Sequence, residues 1–354
     1  MHGAAVANAA AEHSQLESGT IALALQGGGS LGAYTWGVLD ALLADSRLRI
    51  EGVTGASAGA INAALLAVGL SAGGPDRARE LLRTFWEALA AAADRRRVWM
   101  FDPVRWLRRN LWRLRSAQAF YELMTRIVAD FDIDPGTMEP LRGTLEATLD
   151  YTVLSRPDAV RVFVNATNVR TAEPRVFSGP EVNTDAICAS AAVPMVMQPV
   201  EIDGEHYWDG GLLGDPVVYP VIYGCGTRDI VLVQSRPMEC NSVPGTAAEV
   251  VSRTVALASS AGLVRELRMI AFVTQLLDEG PRPGYRQIQL HVISPHPSLR
   301  TLDCAQMFRA DKGFFLHLRQ LGHEQARQWL ASLDVVASGL DGARVGAPSG
   351  RPRG

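Results

Sequence analysis

The sequence predicts a fold of the α/β class, because strand-like and helix-like segments alternate near its beginning. A continuous apolar run at 21–25 is followed by a glycine-rich loop and a helical pattern over 33–44. A strand-like run at 49–54 leads directly into a second helical pattern over 58–68. Continuous apolar runs suit strands covered on both faces, and alternation with helices is typical of parallel sheets. We therefore expect a central sheet with helices packed against it.

The later elements are predicted from hydrophobic period and turn residues. Helices are predicted over 76–93, 183–192, 246–277 and 314–333. Strands are predicted over 151–154, 160–166, 175–177, 229–234 and 287–293. A hairpin over 200–208 turns at Asp203 and Gly204. One face of the helix at 76–93 is apolar and is expected to be buried; it carries Leu81, Leu82, Phe85 and Leu89.

Composition predicts how the chain is divided. Residues 1–19 are rich in alanine and polar residues and are expected to be disordered, as is the tail at 339–354. A single domain is predicted over 20–335. Within it, 71–150 interrupts the strand–helix alternation and is predicted to be a helical cap or lid, and 235–335 is a C-terminal extension of helices and a strand.

Charge and cysteine content argue against several classes of function. A formal net charge of −3 argues against a nucleic-acid partner. The four cysteines have neither C-x-x-C spacing nor a histidine at zinc-ligand distance, so we expect reduced core residues and no metal site. The N-terminus lacks the features of a signal peptide, and no stretch reaches the roughly 18–20 uncharged apolar residues of a membrane span. These features predict a cytoplasmic protein, soluble or peripherally bound to a membrane.

The pentapeptide Gly55-Ala56-Ser57-Ala58-Gly59 lies where the second strand turns into its helix. Only small residues flank Ser57, as a sharp turn that exposes a serine hydroxyl requires. The serine also lies at a helix N-terminus, where free amides and the helix dipole favour developing negative charge. Ser57 is therefore predicted to be a nucleophile. The alternative is a serine that only caps the helix.

The glycine loop at 27–32 has two chemical interpretations. Its spacing fits the G-x-G-x-x-G pattern of dinucleotide sites, with glycines at Gly27, Gly29 and Gly32. That pattern also requires an acidic residue at the tip of the next strand, whereas Glu51 lies inside that strand. In the other interpretation, the amides of Gly28 and Gly29 form an oxyanion hole for the carbonyl that the serine attacks. The serine turn favours the oxyanion hole.

Asp209 follows the predicted hairpin, in the sequence Trp208-Asp209-Gly210-Gly211. A carboxylate on a Gly-Gly turn lies near exposed backbone amides, which is unusual unless another group must approach it. The alternative is an Asx turn that only stabilises the bend. Asp209 is therefore the second candidate residue of a site.

The segment at 95–115 contains eight arginines and three tryptophans but only one acid, Asp102. In a helix its aliphatic side chains would share one stripe, formed by Val104, Leu107, Leu111 and Leu114. Such a helix suits the boundary between water and an anionic membrane, where tryptophan tolerates both media. The alternative is a lid helix whose apolar face packs on the core.

The blocks at 27–32, 55–59 and 209–211 resemble, in order and spacing, the signature motifs of the patatin-like phospholipase family. The small-residue segment at 189–194 also resembles the helix that precedes the aspartate in bacterial members. The resemblance covers about 21–233. It implies a three-layer α/β/α patatin-like fold with a mostly parallel central sheet and a helical cap insertion.

The resemblance also implies a chemistry, the hydrolysis of acyl esters of lipids through an acyl-enzyme. Ser57 would be the nucleophile and Asp209 the base of a catalytic dyad. The implied oxyanion hole is formed by the backbone amides of Gly28, Gly29 and Ser30. The remaining motif positions are Gly27, Gly32, Gly55, Gly59, Gly210 and Gly211. A lipid or other acyl ester is the expected partner, and neither a metal nor a cofactor is implied.

Two departures from the family pattern leave the substrate open. Many members carry Arg or Lys at the position of Leu31, and Asp at that of Gln26. A loop without positive charge fits a neutral ester, such as a polyhydroxyalkanoate chain or a monoacylglycerol, at least as well as a charged phospholipid. Two other functions remain as alternatives: a Ser–Asp–His triad that uses His291 or His296, and a nucleotide-binding module that uses the glycine loop.

Overall fold

The computed structural model describes residues 15–16, 19–95, 138–194, 197–238, 243–245, 247–301, 309 and 311–335. Four predictions lie wholly or largely outside the described residues and stay predictions there. They are the disorder of 1–14 and of the tail at 339–354, the part of the predicted cap at 96–137, and both interpretations of the basic segment from residue 96 to residue 115.

Eight of the described strands form one mixed sheet. In chain order the strands are β1 (Gln15–Leu16), β2 (Thr20–Leu25), β3 (Arg49–Gly55), β4 (Arg161–Asn168), β5 (Pro174–Ser178), β6 (Val200–Ile202), β7 (Glu205–Asp209), β8 (Asp229–Val233), β9 (Gln289–Ile293) and β10 (Asp334–Val335). The order across the sheet is β6–β7–β4–β3–β2–β8–β9, with β5 paired to β4. Strands β4, β3, β2, β8 and β9 run parallel, whereas β5, β6 and β7 pair antiparallel. The expected mostly parallel central sheet is confirmed.

Helices cover both faces of this sheet. They are α1 (Gly32–Leu43), α2 (Ala58–Arg95), α3 (Glu139–Thr148), α4 (Thr184–Ser190), α5 (Tyr219–Gly224), α6 (Ala247–Asp278) and α7 (Lys312–Ala331). Successive side chains of β2 point to opposite faces. Ile21, Leu23 and Leu25 join a large core with α1, α2 and α7, whereas the smaller Ala22 and Ala24 pack against α5 and α6. The three-layer α/β/α arrangement is confirmed.

Helix α2 contains a break at Gly73 and Gly74, where the backbone is not helical. Gly74 has a φ of 78°, which glycine adopts without steric cost. The predicted helix beyond the break buries its apolar face as expected, at Leu81, Leu82, Phe85 and Leu89. Trp86 then meets Phe315 of α7 edge to face, with ring centroids 5.1 Å apart. The described part of the predicted cap is therefore built into the main core.

Among the described residues, α2 over 58–92 is long and apolar enough to cross a membrane by length and composition alone. In the structure 67% of that apolar window is buried inside the protein, and core helices of soluble proteins pass the same test. Packing against the sheet accounts for its hydropathy.

The strand predicted at 151–154 is wrong. Tyr151–Ser155 forms a 3₁₀ helix instead. The carboxylate of Asp150 accepts hydrogen bonds from the Thr152 amide over 3.0 Å and from its hydroxyl over 2.6 Å. This side-chain contact closes a turn, which competes with an extended backbone. The apolar Val153 and Leu154 are buried without joining the sheet.

The disorder predicted for 1–19 does not hold at Gln15 and Leu16. These residues pair in parallel with Asp334 and Val335 in a separate two-stranded sheet. The Leu16 side chain is fully buried in the main core. A partner from the far end of the chain fixes this segment, and composition alone gives no sign of such a contact.

Candidate active site

Ser57 occupies a sharp turn between β3 and α2. Its backbone has a φ of 54°, a left-handed conformation that is uncommon outside glycine. The turn is tight, because a Cβ on Gly55 would lie 2.4 Å from the backbone of Gly59, and one on Gly59 would lie 2.2 Å from the Leu25 carbonyl oxygen. The Ser57 amide donates to the Ser190 hydroxyl over 3.0 Å. An N-capping residue normally has an extended backbone, so this φ argues against a purely capping role.

Asp209 ends β7 and is fixed through its backbone. Its amide donates to the Ala192 carbonyl over 2.9 Å, and its own carbonyl accepts from the Thr167 hydroxyl over 2.9 Å. The buried carboxylate accepts from the Gly211 amide over 2.7 Å, as in an Asx turn. The Ser57 side chain is close enough to this carboxylate to lower its pKa. The structure therefore contains the turn contact and also brings the two predicted site residues together.

Burial changes the acid strength of Asp209. Removal from water raises the pKa of its carboxyl from 3.8 to about 7, because the charged form is disfavoured in the interior. Hydrogen bonds from the Gly211 amide and from Ser57 lower the pKa of this carboxyl. The negative charge of Asp215 raises it, and the positive charge of Arg236 lowers it. A carboxylate with a pKa near 7 is a far better proton acceptor at neutral pH than an exposed aspartate.

The glycine loop lies directly against the serine turn. A Cβ on Gly27 would lie only 2.9 Å from the Cβ of Ser57. Gly28 and Gly29 have φ values of 131° and 59°, which favour glycine. Within the described residues their two amides have no protein acceptor. Amides of this kind are able to receive a developing oxyanion.

Ser30, the third predicted oxyanion donor, lies in the 3₁₀ helix Gly29–Leu31 that follows these amides. It is buried, and its hydroxyl donates to the Arg309 carbonyl over 2.5 Å. The side chain therefore anchors the loop to the segment that precedes α7. Any catalytic contribution of Ser30 would come from its backbone amide.

The remaining motif glycines are also points of close approach. A Cβ on Gly32 would lie 2.7 Å from the Cβ of Ala58 at the start of α2. A Cβ on Gly210 would lie 2.0 Å from the carbonyl oxygen of Asn165. One on Gly211 would lie 3.0 Å from the Asp209 carboxylate. Side chains at these positions would push apart the segments that carry the predicted site residues.

Sequence reasoning missed the groups that hold the glycine loop. The buried carboxylate of Asp215 accepts from the Gly27 amide over 2.5 Å and forms an ion pair with Arg236. The Gln26 side chain accepts from the amides of Ser235 and Arg236, each over 3.0 Å. One signal was available, because a polar Gln26 at the end of an apolar strand needs partners if that strand is buried.

The two candidate histidines lie elsewhere. His291 on β9 contacts the carboxylate of Asp229 over 2.8 Å, and both side chains are buried. Asp229 is the first residue of β8, whereas Ser57 follows the last residue of the parallel β3. The Asp229 carboxylate therefore lies toward the amino-terminal ends of the parallel strands, and Ser57 lies at their carboxyl ends. His296 contacts the Ser298 hydroxyl over 2.8 Å. Neither histidine is brought to Ser57.

Two further observations concern ligands. Among the residues that the structure describes, no group of three or more His, Cys, Asp or Glu side chains could hold a metal ion. A cavity of about 630 Å³ lies between α2 and α3 and is lined by Thr84, Ala88, Gly143 and Ala147, among others. None of the predicted site residues lines it.

Taken with the sheet order, these contacts define an α/β protein of the patatin type, with its candidate site at the carboxyl ends of parallel strands. A sequence model described as patatin-like phospholipase matches residues 23–221. The chain belongs to the patatin-like phospholipase family.

The names of curated relatives agree with this assignment. A patatin-like phospholipase domain-containing protein of Cryptococcus neoformans is 35% identical over 119 residues, which cover 30% of this chain and 13% of that protein. One from Aspergillus clavatus is 29% identical over 227 residues, or 57% of this chain and 27% of that protein. This chain thus spans only a small part of these relatives. Among solved structures, VipD from Legionella pneumophila is 18% identical, with a TM-score of 0.41 over 91% of this chain and 70% of that one.

Proposed function

We propose that the protein is a serine acyl hydrolase that cleaves carboxylic esters of lipids. The observation that carries this proposal is the contact between the Ser57 side chain and the buried Asp209 carboxylate beside two amides without protein acceptors. Membership of the patatin-like phospholipase family supports lipids as the substrate class. Ser57 acts as the nucleophile and Asp209 as the general base.

In the first half of the reaction, Asp209 accepts the proton of the Ser57 hydroxyl while the serine oxygen attacks the ester carbonyl. The amides of Gly28 and Gly29 stabilise the negative charge that develops on the carbonyl oxygen. Collapse of the tetrahedral intermediate breaks the bond to the alcohol. The alcohol leaves with the proton that Asp209 received, and Ser57 keeps the acyl group as an ester.

In the second half, a water molecule attacks the acyl-enzyme and gives a proton to Asp209. The same amides stabilise the second oxyanion. Asp209 then returns the proton to the Ser57 oxygen as the free carboxylic acid departs. One carboxyl group therefore alternates between base and acid, which is efficient when its pKa lies near the operating pH, as the value of about 7 allows.

Labelling with a fluorophosphonate tests the nucleophile. The wild-type protein should react at Ser57 and hydrolyse an acyl ester, and Ser57→Ala should lose both properties while it keeps its circular dichroism spectrum. The exposed serine at position 46 offers a matched control, and Ser46→Ala should behave like the wild type. Hydrolysis that persists in Ser57→Ala would disprove the proposal.

A neutral ester is the second candidate substrate. Leu31 is buried and uncharged, so at the position where the family pattern often has Arg or Lys this loop presents no positive charge to a headgroup. A panel of phospholipid, lysophospholipid, monoacylglycerol and polyhydroxybutyrate should separate the two candidates. Preference for the last two would favour a neutral-lipid or polyhydroxyalkanoate esterase that uses the same two residues.

A further inference from the structure

Asp215 lies where three segments of the proposed site meet. It follows the Asp209 turn along the chain, and one carboxylate oxygen accepts the Gly27 amide at the start of the glycine loop over 2.5 Å. The other oxygen pairs with the guanidinium of Arg236, which follows β8. A Cβ on Gly27 would lie 3.1 Å from Asp215 on one side and 2.9 Å from Ser57 on the other. Gly27 is therefore enclosed between the carboxylate and the serine turn.

The segment after β8, Ser235 and Arg236, also anchors the glycine loop through further hydrogen bonds. The Ser235 hydroxyl donates to the Gly27 carbonyl over 2.6 Å, and the Arg236 amide donates to the Gln26 side chain over 3.0 Å. Both polar groups of the Gly27 backbone are thus used for anchoring. Among the residues that the structure describes, no group accepts from the amides of the next two residues, Gly28 and Gly29, so these two amides are available to a ligand.

We propose that the ion pair between the buried Asp215 and the partly buried Arg236 is a positioning device for hydrolysis, which holds the glycine loop against the serine turn. The proposal rests on the function proposed above. An ion pair is a costly way to fill an interior, since two well-packed apolar residues are often at least as stabilising. A carboxylate, however, gives the Gly27 amide a charge-assisted hydrogen bond that is about twice as strong as a neutral one.

The pair also acts on the general base. The charge of Asp215 raises the pKa of the Asp209 carboxyl, and the charge of Arg236 lowers it. Among the residues that the structure describes, the other hydrogen-bond partners of Asp209 are uncharged: Thr167 on β4 donates from its hydroxyl, and Ala192 after α4 accepts through its carbonyl. Removal of either charge should therefore shift the pH dependence of the reaction, and the two removals should shift it in opposite directions.

Single variants test the electrostatic effect in the full-length chain. Asp215→Asn keeps an oxygen for the Gly27 amide but leaves Arg236 unpaired, so the acid limb of kcat/KM should move to lower pH by about one unit. Arg236→Met removes the positive charge that lowers the pKa of both Asp209 and the buried Asp215, so the same limb should move to higher pH. Arg319→Met is the matched control, because it opens the distant ion pair with Asp40, which spans 2.8 Å, and should leave the limb in place.

The double variant Asp215→Ala/Arg236→Met tests positioning, because it removes both charges and the acceptor of the Gly27 amide. It should lower kcat by about 10- to 100-fold with little change in KM, since full loss of one oxyanion donor costs about 100- to 1000-fold. If a single variant fails to fold, this double variant decides the question. The proposal would be overturned if the double variant kept the wild-type kcat. It would also be overturned if the acid limbs of kcat/KM in the two single variants did not move in opposite directions.

Failure of the proposed function can be distinguished from failure of the inference about the ion pair. If Ser57→Ala retains hydrolysis, the proposed function is wrong. If hydrolysis requires Ser57, but the double variant keeps the wild-type kcat or the acid limbs of the single variants do not move apart, only the inference about the ion pair is wrong.

Discussion

Asp209→Asn should stabilise the folded protein at neutral and alkaline pH while it abolishes hydrolysis. The carboxyl has a pKa of about 7 in the folded state against 3.8 for an exposed aspartate. Each unit of difference corresponds to about 1.4 kcal/mol, so ionisation of the buried carboxyl costs up to about 4 kcal/mol of folding free energy. Asparagine has a similar shape and never ionises, so the variant avoids this cost.

The sign of the effect follows from the two protonation states. Below about pH 4 the carboxyl is protonated in the folded and in the unfolded protein, and the variant gains nothing. Between about pH 4 and pH 7 the unfolded chain ionises first, so the wild type loses stability progressively as the pH rises. Above pH 7 the loss is complete. The advantage of the variant should therefore grow with pH and level off near pH 7 to 8.

Urea denaturation of both proteins at several pH values between 4.5 and 8.5 measures this difference. Subtracting the free energy of unfolding of the wild type from that of the variant at each pH cancels the contribution of all other titrating groups. The exposed Asp203, at the tip of the hairpin, provides the control, and Asp203→Asn should change the free energy of unfolding only slightly. An advantage of Asp209→Asn that is equal at pH 5 and pH 8, or a variant that is less stable at pH 8, would refute the burial argument.

Three other predictions follow from the same geometry. In the wild type, kcat/KM should be about tenfold below its plateau at pH 6, because Asp209 is then mostly protonated; an unchanged rate at pH 5 would contradict this. Ser190→Ala removes the acceptor of the Ser57 amide, which lies 3.0 Å away, and should lower kcat about tenfold, the equivalent of one hydrogen bond, whereas an unchanged kcat would show that this contact is not needed. His291→Gln should lower the melting temperature, because its buried carboxylate partner loses a contact of 2.8 Å, yet should keep hydrolysis; loss of activity in the folded variant would revive the triad.

The sequence predicted the parts of the fold that depend on local pattern. The apolar β2 and β8, the Asp203-Gly204 turn and the break in α2 each follow from a few neighbouring residues. Asp203 and Gly204 have φ values of 53° and 79°, as expected for the tight hairpin turn. The strand predicted at 151–154 failed because the Asp150 side chain closes a turn there. A competing side-chain hydrogen bond does not alter the apolar pattern on which the prediction relied.

Contacts between distant parts of the chain were beyond the reach of such patterns. Asp215 and the Gly27 amide are separated by 188 positions, and Gln15–Leu16 pairs with Asp334–Val335. A carboxylate next to a proline has the same appearance in sequence whether it lies in water or under a glycine loop. The glycine, serine and aspartate motifs were found because each has a local geometric requirement, but the groups that hold them have none.

Burial resolves the main chemical difficulty of a serine hydrolase that uses aspartate as its base. An exposed carboxylate is a weak base for a hydroxyl group at neutral pH, and the proposed mechanism has no histidine to replace it. Burial brings the pKa of Asp209 to about 7, while hydrogen bonds from Gly211 and Ser57 act to lower it. More burial would leave the carboxyl protonated, and less would leave it weakly basic. Burial, opposed by these hydrogen bonds, therefore places the base in the range where it can both accept and return a proton, and the opposing charges of Asp215 and Arg236 make smaller contributions.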